Sequence, residues 1–179
     1  MLFDVIACQM GKISLDFVIL HPILGHMIEM DAIDRKILTA LQKEGALSQR
    51  EVAEKVGLSQ NACWRRVKRL TETGVIEGYG AKLNAKLVGL DLTVFMMIRT
   101  RQHNEAWQKN FRIQVATIPE IVDVHRIGGE WDYLIKVVTS SMEGYDRVYK
   151  NLTSKLDLET VTGLFAMETI LESQPLHLP

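Results

Sequence analysis

With 47% of its 179 residues hydrophobic, the chain is long enough to bury one ordinary core or two small ones, as a soluble globular protein does. Its formal net charge of −1 speaks against a nucleic-acid partner only if charge is evenly spread, and it is not: residues 31–77 hold nine basic and seven acidic side chains, whereas 1–30 hold one and three and 78–179 eleven and twelve. The two cysteines, Cys8 and Cys63, stand at no disulfide or metal spacing, which excludes a disulfide scaffold and a zinc site and points to a reducing cytoplasm.

Residues 1–30 read as an N-terminal extension. VILHPILGHM at 18–27 is apolar, but Asp16, His21 and Pro22 interrupt it and no basic n-region or small-residue cleavage site accompanies it, so neither a signal peptide nor a membrane span is expected. Met27 and Met30 stand directly before the first well-formed helical pattern, which makes either a candidate start of translation and the extension a candidate non-native segment.

Residues 31–77 read as three helices. Asp31 caps the first, with Asp34 at its third position and Ile33, Ile37, Leu38 and Leu41 as its stripe, and Gly45 stops it. Ser48 and Glu51 form the S-x-x-E capping box of the second, whose Val52, Ala53 and Val56 are apolar and which ends at Gly57. Leu58 fills the corner and Ser59 caps the third, where Ala62, Cys63, Val67 and Leu70 share one face; on that placement Cys63 reads as a buried structural thiol rather than a redox sensor. The other faces carry Gln60, Asn61, Trp64, Arg65, Arg66, Lys68 and Arg69, so Ser59 to Leu70 holds four positive charges and no negative one.

This is a helix-turn-helix pattern, and such a third helix suits a DNA major groove: Asn, Gln and Arg match base edges, and Lys or Arg neutralise phosphates. The plainer alternatives are a solvated cationic face or a protein-protein module. Arg65 and Asn61 point most directly away from the apolar face and are assigned to base edges, with Ser59 and Gln60 near a phosphate at the helix start. Arg66, Lys68 and Arg69 are assigned to phosphates, and Trp64 either packs between helices or touches a sugar or methyl group.

Gly74 ends the third helix, Val75 and Ile76 begin an extended segment, and residues 78–90 form a linker punctuated by Gly78, Gly80 and Gly89, in which Tyr79, Ala81 and Leu83 alternate as a short strand does. Residues 91–173 then give strand 92–100, helix 104–117, strand 121–127, a Gly128-Gly129 turn, strand 132–138, helix 141–156 with Met142, Tyr145, Val148, Tyr149 and Leu152 inward, and a last strand from about 161 to 171; 174–179 is a tail. The predicted class is α+β: an N-terminal three-helix (winged) helix-turn-helix domain followed by a ferredoxin-like βαββαβ domain, with both helices on one sheet face. Strand 92–100 is apolar on both sides, so the open face is expected to pack on a second copy as a homodimer.

DxxDRKIL from Asp31, the Ser48–Leu70 motif, GVIEGYGAKL at 74–83 and GGEWDYLIKV at 128–137 occur in the order seen in the Lrp/AsnC, or feast-famine, transcriptional regulators, which the chain resembles over 31 to about 173. NACWRRVKRL at 61–70 and FAMETI at 165–170 look most like the subgroup that senses cysteine and switches on its detoxification. The resemblance implies double-stranded DNA as partner for the first domain, and dimerisation, further assembly up to octamers and a small amino-acid effector for the second. It also maps an effector motif onto Gly128, Gly129, Glu130, Trp131, Asp132 and Tyr133, where backbone groups of the turn meet a carboxylate and Asp132 an ammonium; read without it, the two glycines are turn chemistry. No cofactor, metal or catalytic residue is expected, and His125 reads as a structural histidine. The second function class is an enzyme, because some proteins that resemble these regulators decarboxylate tetrapyrroles; four cations on the third helix favour the regulator.

Overall fold

The computed structural model describes residues 28–179 and divides them into two units, residues 28–80 with Pro175–Pro179 and Ala81–Gln174. The expectations for the extension, with Cys8 and Met27, fall on residues 1–27 and lie outside the described residues. Met30 is described, and it packs half-buried against the core of the first unit.

The first unit is built from α1 (Ala32–Lys43), α2 (Gln49–Val56) and α3 (Gln60–Glu72). Each starts where a side chain replaces the missing helical acceptor. The Asp31 carboxylate accepts from the amides of Ile33 (2.9 Å) and Asp34 (2.8 Å), and Asp34 accepts in return from the Asp31 amide, a reciprocal capping box. Ser48 and Glu51 repeat it on α2, and Ser59 caps α3 through the Ala62 amide at 3.3 Å. Gly57 closes α2 at φ 72°, a left-handed conformation that a β-carbon disfavours, and this sharp stop turns the chain into α3. The apolar stripes meet in one core of Ile37, Leu38, Val52, Ala53, Val56, Cys63 and Leu70, half-covered by Ile33, Leu41, Leu58 and Val67. Burial pushes the Cys63 thiol up, so the sulfur stays protonated and serves as core, as its helix position suggests.

No strand follows α3 before Leu92: the alternation of Tyr79, Ala81 and Leu83 produces none, and Tyr79 and Leu83 stand 60% and 70% exposed. Alternation makes a strand only where a neighbour supplies ladder hydrogen bonds, and residues 79–83 have none. A single 3-10 turn at Lys86–Val88 completes the linker.

The second unit contains β1 (Leu92–Arg99), α4 (Glu105–Ala116), β2 (Ile121–Arg126), β3 (Tyr133–Thr139), α5 (Met142–Lys155) and β4 (Thr160–Phe165), with antiparallel order β2-β3-β1-β4. The order β-α-β-β-α-β and this strand order are those of the ferredoxin-like arrangement. Val94, Met96, Ile98, Tyr133, Ile135 and Val137 point toward the helices and bury against Trp107, Phe111, Val115, Val148 and Leu152. Asn104 and Ser141, at which the two helices are expected to begin, cap α4 and α5. On α5, however, Met142 and Tyr149 stand in solvent at 53% and 38% exposure, and the buried third member is Gly144, where a β-carbon would collide with the Thr139 hydroxyl. β4 also stops at Phe165 rather than near 171, because beyond the Ala166 amide, which bonds the Thr93 carbonyl, the chain leaves β1; Met167, Ile170 and Leu171 are exposed.

Candidate nucleic-acid and effector sites

The four cations of α3 divide into two pairs with different surroundings. Asp34 is 1% exposed, and a carboxylate taken out of water needs cations or amide donors around it. Arg66 supplies one, with Nη1 2.9 Å from Asp34 Oδ1 and 2.7 Å from Asp31 Oδ2, and the Arg69 guanidinium donates to Asp34 Oδ2. The capping box of α1 is thus joined to two arginines of α3. The Asp34 amide, and after it the Arg66 guanidinium, hold the Asp31 carboxyl below its usual range, and hydrogen bonds to Asp31 and then Asp34 push Arg66 upward.

Arg66 and Arg69, assigned to phosphates, are thus engaged by acids at the start of α1, a competing partner that Arg65 lacks among the described residues. Turning either guanidinium toward DNA removes a counter-ion from a buried carboxylate. Sequence spacing could not show this, since the partner acids lie on another helix, more than thirty residues away.

The second pair is differently placed. Asn61, Trp64, Arg65 and Lys68 are all exposed and recur at i, i+3, i+4 and i+7, which puts them in one continuous stripe along α3. Among the described residues Arg65 has no ion-pair partner; Lys68 reaches Glu72 only at 3.6 Å and lies 5.2 Å from the centre of the Trp64 ring. Trp64 is 43% exposed and its other edge lines a cleft of about 310 Å³ with Leu41, Leu47, Val52 and Tyr79, so it both packs and faces outward. Gln60 and Ser59 are exposed at the N-terminus of α3, where the helix dipole favours an anion.

The Gly-rich turn has a different economy. Gly128, Gly129 and Glu130 are exposed, with Gly129 at φ 122°, while Trp131 and Asp132 are half-buried. Asp132 Oδ2 accepts from the Thr100 amide at 2.8 Å, and its own amide donates to the Ile98 carbonyl at 2.9 Å, so this residue pins the turn to the end of β1. Tyr133, assigned to the effector, is 7% exposed and its ring lies 4.2 Å from that of Phe111 and 5.9 Å from that of Trp107; it belongs to the core, because strand alternation from Ile135 and Val137 turns it inward. Sequence reasoning passed over Arg99, whose guanidinium lies 5.5 Å from the Trp131 ring, 3.7 Å from Glu159, and whose Nε has no hydrogen-bond partner among the described residues. Its position at the end of β1, seven residues after the strand starts, is the signal that could have placed it beside the turn. His125, read as a structural histidine, is exposed on the open sheet face opposite Leu134.

Comparison with known proteins agrees with this two-part arrangement. Residues 93–176 match the model of the Lrp/AsnC ligand binding domain and residues 30–77 that of a winged helix-turn-helix DNA-binding domain. The chain is 40% identical over 151 residues to the glutamate uptake regulatory protein of Zymomonas mobilis, covering 84% of this chain and 92% of that one. It belongs to the Lrp/AsnC family of transcriptional regulators. An AsnC family regulator from Agrobacterium tumefaciens has the same fold at TM-score 0.77 and 41% identity, over 84% of this chain and 97% of that one. A transcriptional regulator from Neisseria meningitidis, solved as a complex with L-Met, is similar at TM-score 0.77 and 29% identity, over 83% and 97%. This Lrp/AsnC member is therefore a DNA-binding regulator with an amino-acid ligand domain and not an enzyme, which sets the decarboxylase reading aside. Among the described residues no helix is long and apolar enough to cross a membrane.

Proposed function

We propose that this regulator reads an operator in double-stranded DNA with the stripe Asn61, Trp64, Arg65 and Lys68 of α3, and that a small amino acid held at the Gly128–Asp132 turn changes that binding. The exposed stripe carries the reading: Asn61 and Arg65 take base edges, Lys68 a phosphate, Ser59 and Gln60 the phosphate at the helix start, and Trp64 a sugar or thymine methyl group. Such a protein works in the cytoplasm, where the DNA is.

A helix-turn-helix doubles its specificity when two copies reach two half-sites, and the sheet offers a means. Phe95, Met97, Leu134 and Leu164 are register neighbours on the face away from the helices, and Leu164 is 48% exposed; covering them is worth about 25 cal/mol per Å². The proposed assembly is a homodimer through this face, which can assemble further into octamers. A folded monomer in ultracentrifugation at micromolar concentration contradicts it.

For the effector, the exposed backbone of Gly128–Glu130 and the Arg99 guanidinium suit a carboxylate, and Asp132 Oδ1, which has no hydrogen-bond partner among the described residues, suits an ammonium. Cysteine is proposed first, from the likeness of NACWRRVKRL and FAMETI to the cysteine-sensing subgroup. Leucine-like amino acids are proposed second, and glutamate and methionine, which with leucine appear in the names of similar proteins, are further competitors. Calorimetry across the twenty amino acids tests this. Cysteine binding that shifts operator affinity about 5- to 150-fold supports it, and tighter binding of another amino acid replaces cysteine.

A further inference from the structure

The chain leaves the helix-turn-helix unit after Gly80 and rejoins it at Pro175, so the two units are joined by two covalent crossings rather than one. The returning segment is held at both ends. Before the crossing, the Glu172 carboxylate pairs with Lys136 of β3 and the Glu172 carbonyl accepts from Lys82 at 3.2 Å. Ser173 then adopts φ 50°, a left-handed bend that a residue with a side chain keeps only where its neighbours fix it. After the crossing, the Leu176 amide donates to Gln42 Oε1 at 2.6 Å and Gln42 Nε2 donates to the Leu176 carbonyl at 3.3 Å. One side-chain amide thus satisfies both backbone groups of one residue, as a neighbouring strand does. Two residues on, Leu178 packs half-buried on the core of the unit, and the Arg35 guanidinium donates to the Pro179 carbonyl. The segment thereby forms one wall of a cleft of about 400 Å³, lined by Leu176 and Leu178 on one side and by Leu38, Leu41, Val75 and Ile76 of α1 and the segment after α3 on the other.

We propose that the surface formed by α1 and the segment after α3 is a docking site for an extended peptide with a free backbone amide and carbonyl and an aliphatic side chain two residues later, and that its resident occupant is this chain's own segment Pro175–Leu178. Gln42 supplies register and Leu178 supplies the anchor. Leu176, whose side chain is 76% exposed, contributes backbone only. The covalent link supplies a high effective concentration, so a contact this small stays occupied while remaining easy to displace. Displacing it removes the second attachment of α1 and leaves the helix-turn-helix unit joined through residues 80–81 alone.

Hydrogen exchange on the full chain tests this without reference to DNA. Leu178→Asp is expected to speed exchange of the α1 amides tenfold or more while α5 is unchanged, Gln42→Ala to do so about threefold, and Leu178→Met to keep the protection. Should Leu178→Asp unfold the whole unit, seen as equal loss in α3, the exposed Gln42→Ala decides. Unchanged α1 exchange in Gln42→Ala overturns the proposal, and so does protection that rises with protein concentration, since the occupant is then the segment of another copy.

Discussion

The helix-turn-helix and the Gly-rich turn are both short motifs rich in functional residue types, yet the fold uses them differently. On α3 the fold consumes Arg66 and Arg69 and leaves Asn61, Trp64, Arg65 and Lys68 outward. In the turn it consumes Tyr133 outright and half of the Asp132 carboxylate, leaving mostly backbone. A charged residue in a binding motif is therefore a candidate contact only after the buried groups that need it have been counted.

Substitutions can break or sharpen that contrast. The largest effect is expected from Tyr133→Ala, which empties a space beside the stacked rings of Phe111 and Trp107 and should cost about 3–5 kcal/mol of stability in chemical denaturation, against less than about 0.5 kcal/mol for Glu130→Ala in the exposed turn. A stable Tyr133→Ala protein that no longer binds its amino acid returns this residue to the ligand site. Next comes Asp34→Ala, which removes the acid shared by Arg66 and Arg69 and its bond to the Asp31 amide; about 1–3 kcal/mol should be lost from the first unit, followed by the loss of helical circular dichroism. An unaltered midpoint shows that the network is decorative. Arg65→Ala should leave stability within about 0.5 kcal/mol and cost about 1 to 3 kcal/mol in discrimination among DNA sequences, read by selection from a random library.

The smallest effect is on acid stability. Asp31 and Glu51 have carboxyls held below their usual range, by the Asp34 amide and the Ser48 hydroxyl respectively. A lowered folded value means that the stabilisation is complete above the ordinary carboxylate range and is lost as pH falls through the lowered values. Midpoints measured between pH 6 and pH 3 should hold steady at first and then drop for the wild type, and drop less for Asp31→Asn.

Helix limits were legible because caps and stripes are local: Asp31, Ser48 and Ser59 all cap as their spacing indicates. What was not legible depends on distant partners. The strand expected at Tyr79–Leu83 lacks a neighbour, β4 ends where β1 runs out of partners, and Arg66 is claimed by acids two helices earlier. The docked segment at Leu176 was invisible for the same reason, since Gln42 lies 134 positions away. Tyr133 could have been placed in the core from the alternation Tyr133, Ile135, Val137, had that period been set against the motif.

The division of the α3 cations is tested most directly by the salt dependence of operator binding, using DNA selected with the wild-type protein, for Lys68→Ala and Arg69→Ala side by side. The slope of log affinity against log salt should fall by roughly one unit for Lys68→Ala and stay at the wild-type value for Arg69→Ala, whose loss appears instead in the unfolding midpoint. Equal reductions in slope for both variants would contradict the account, because Arg69 would then be neutralising a phosphate rather than Asp34.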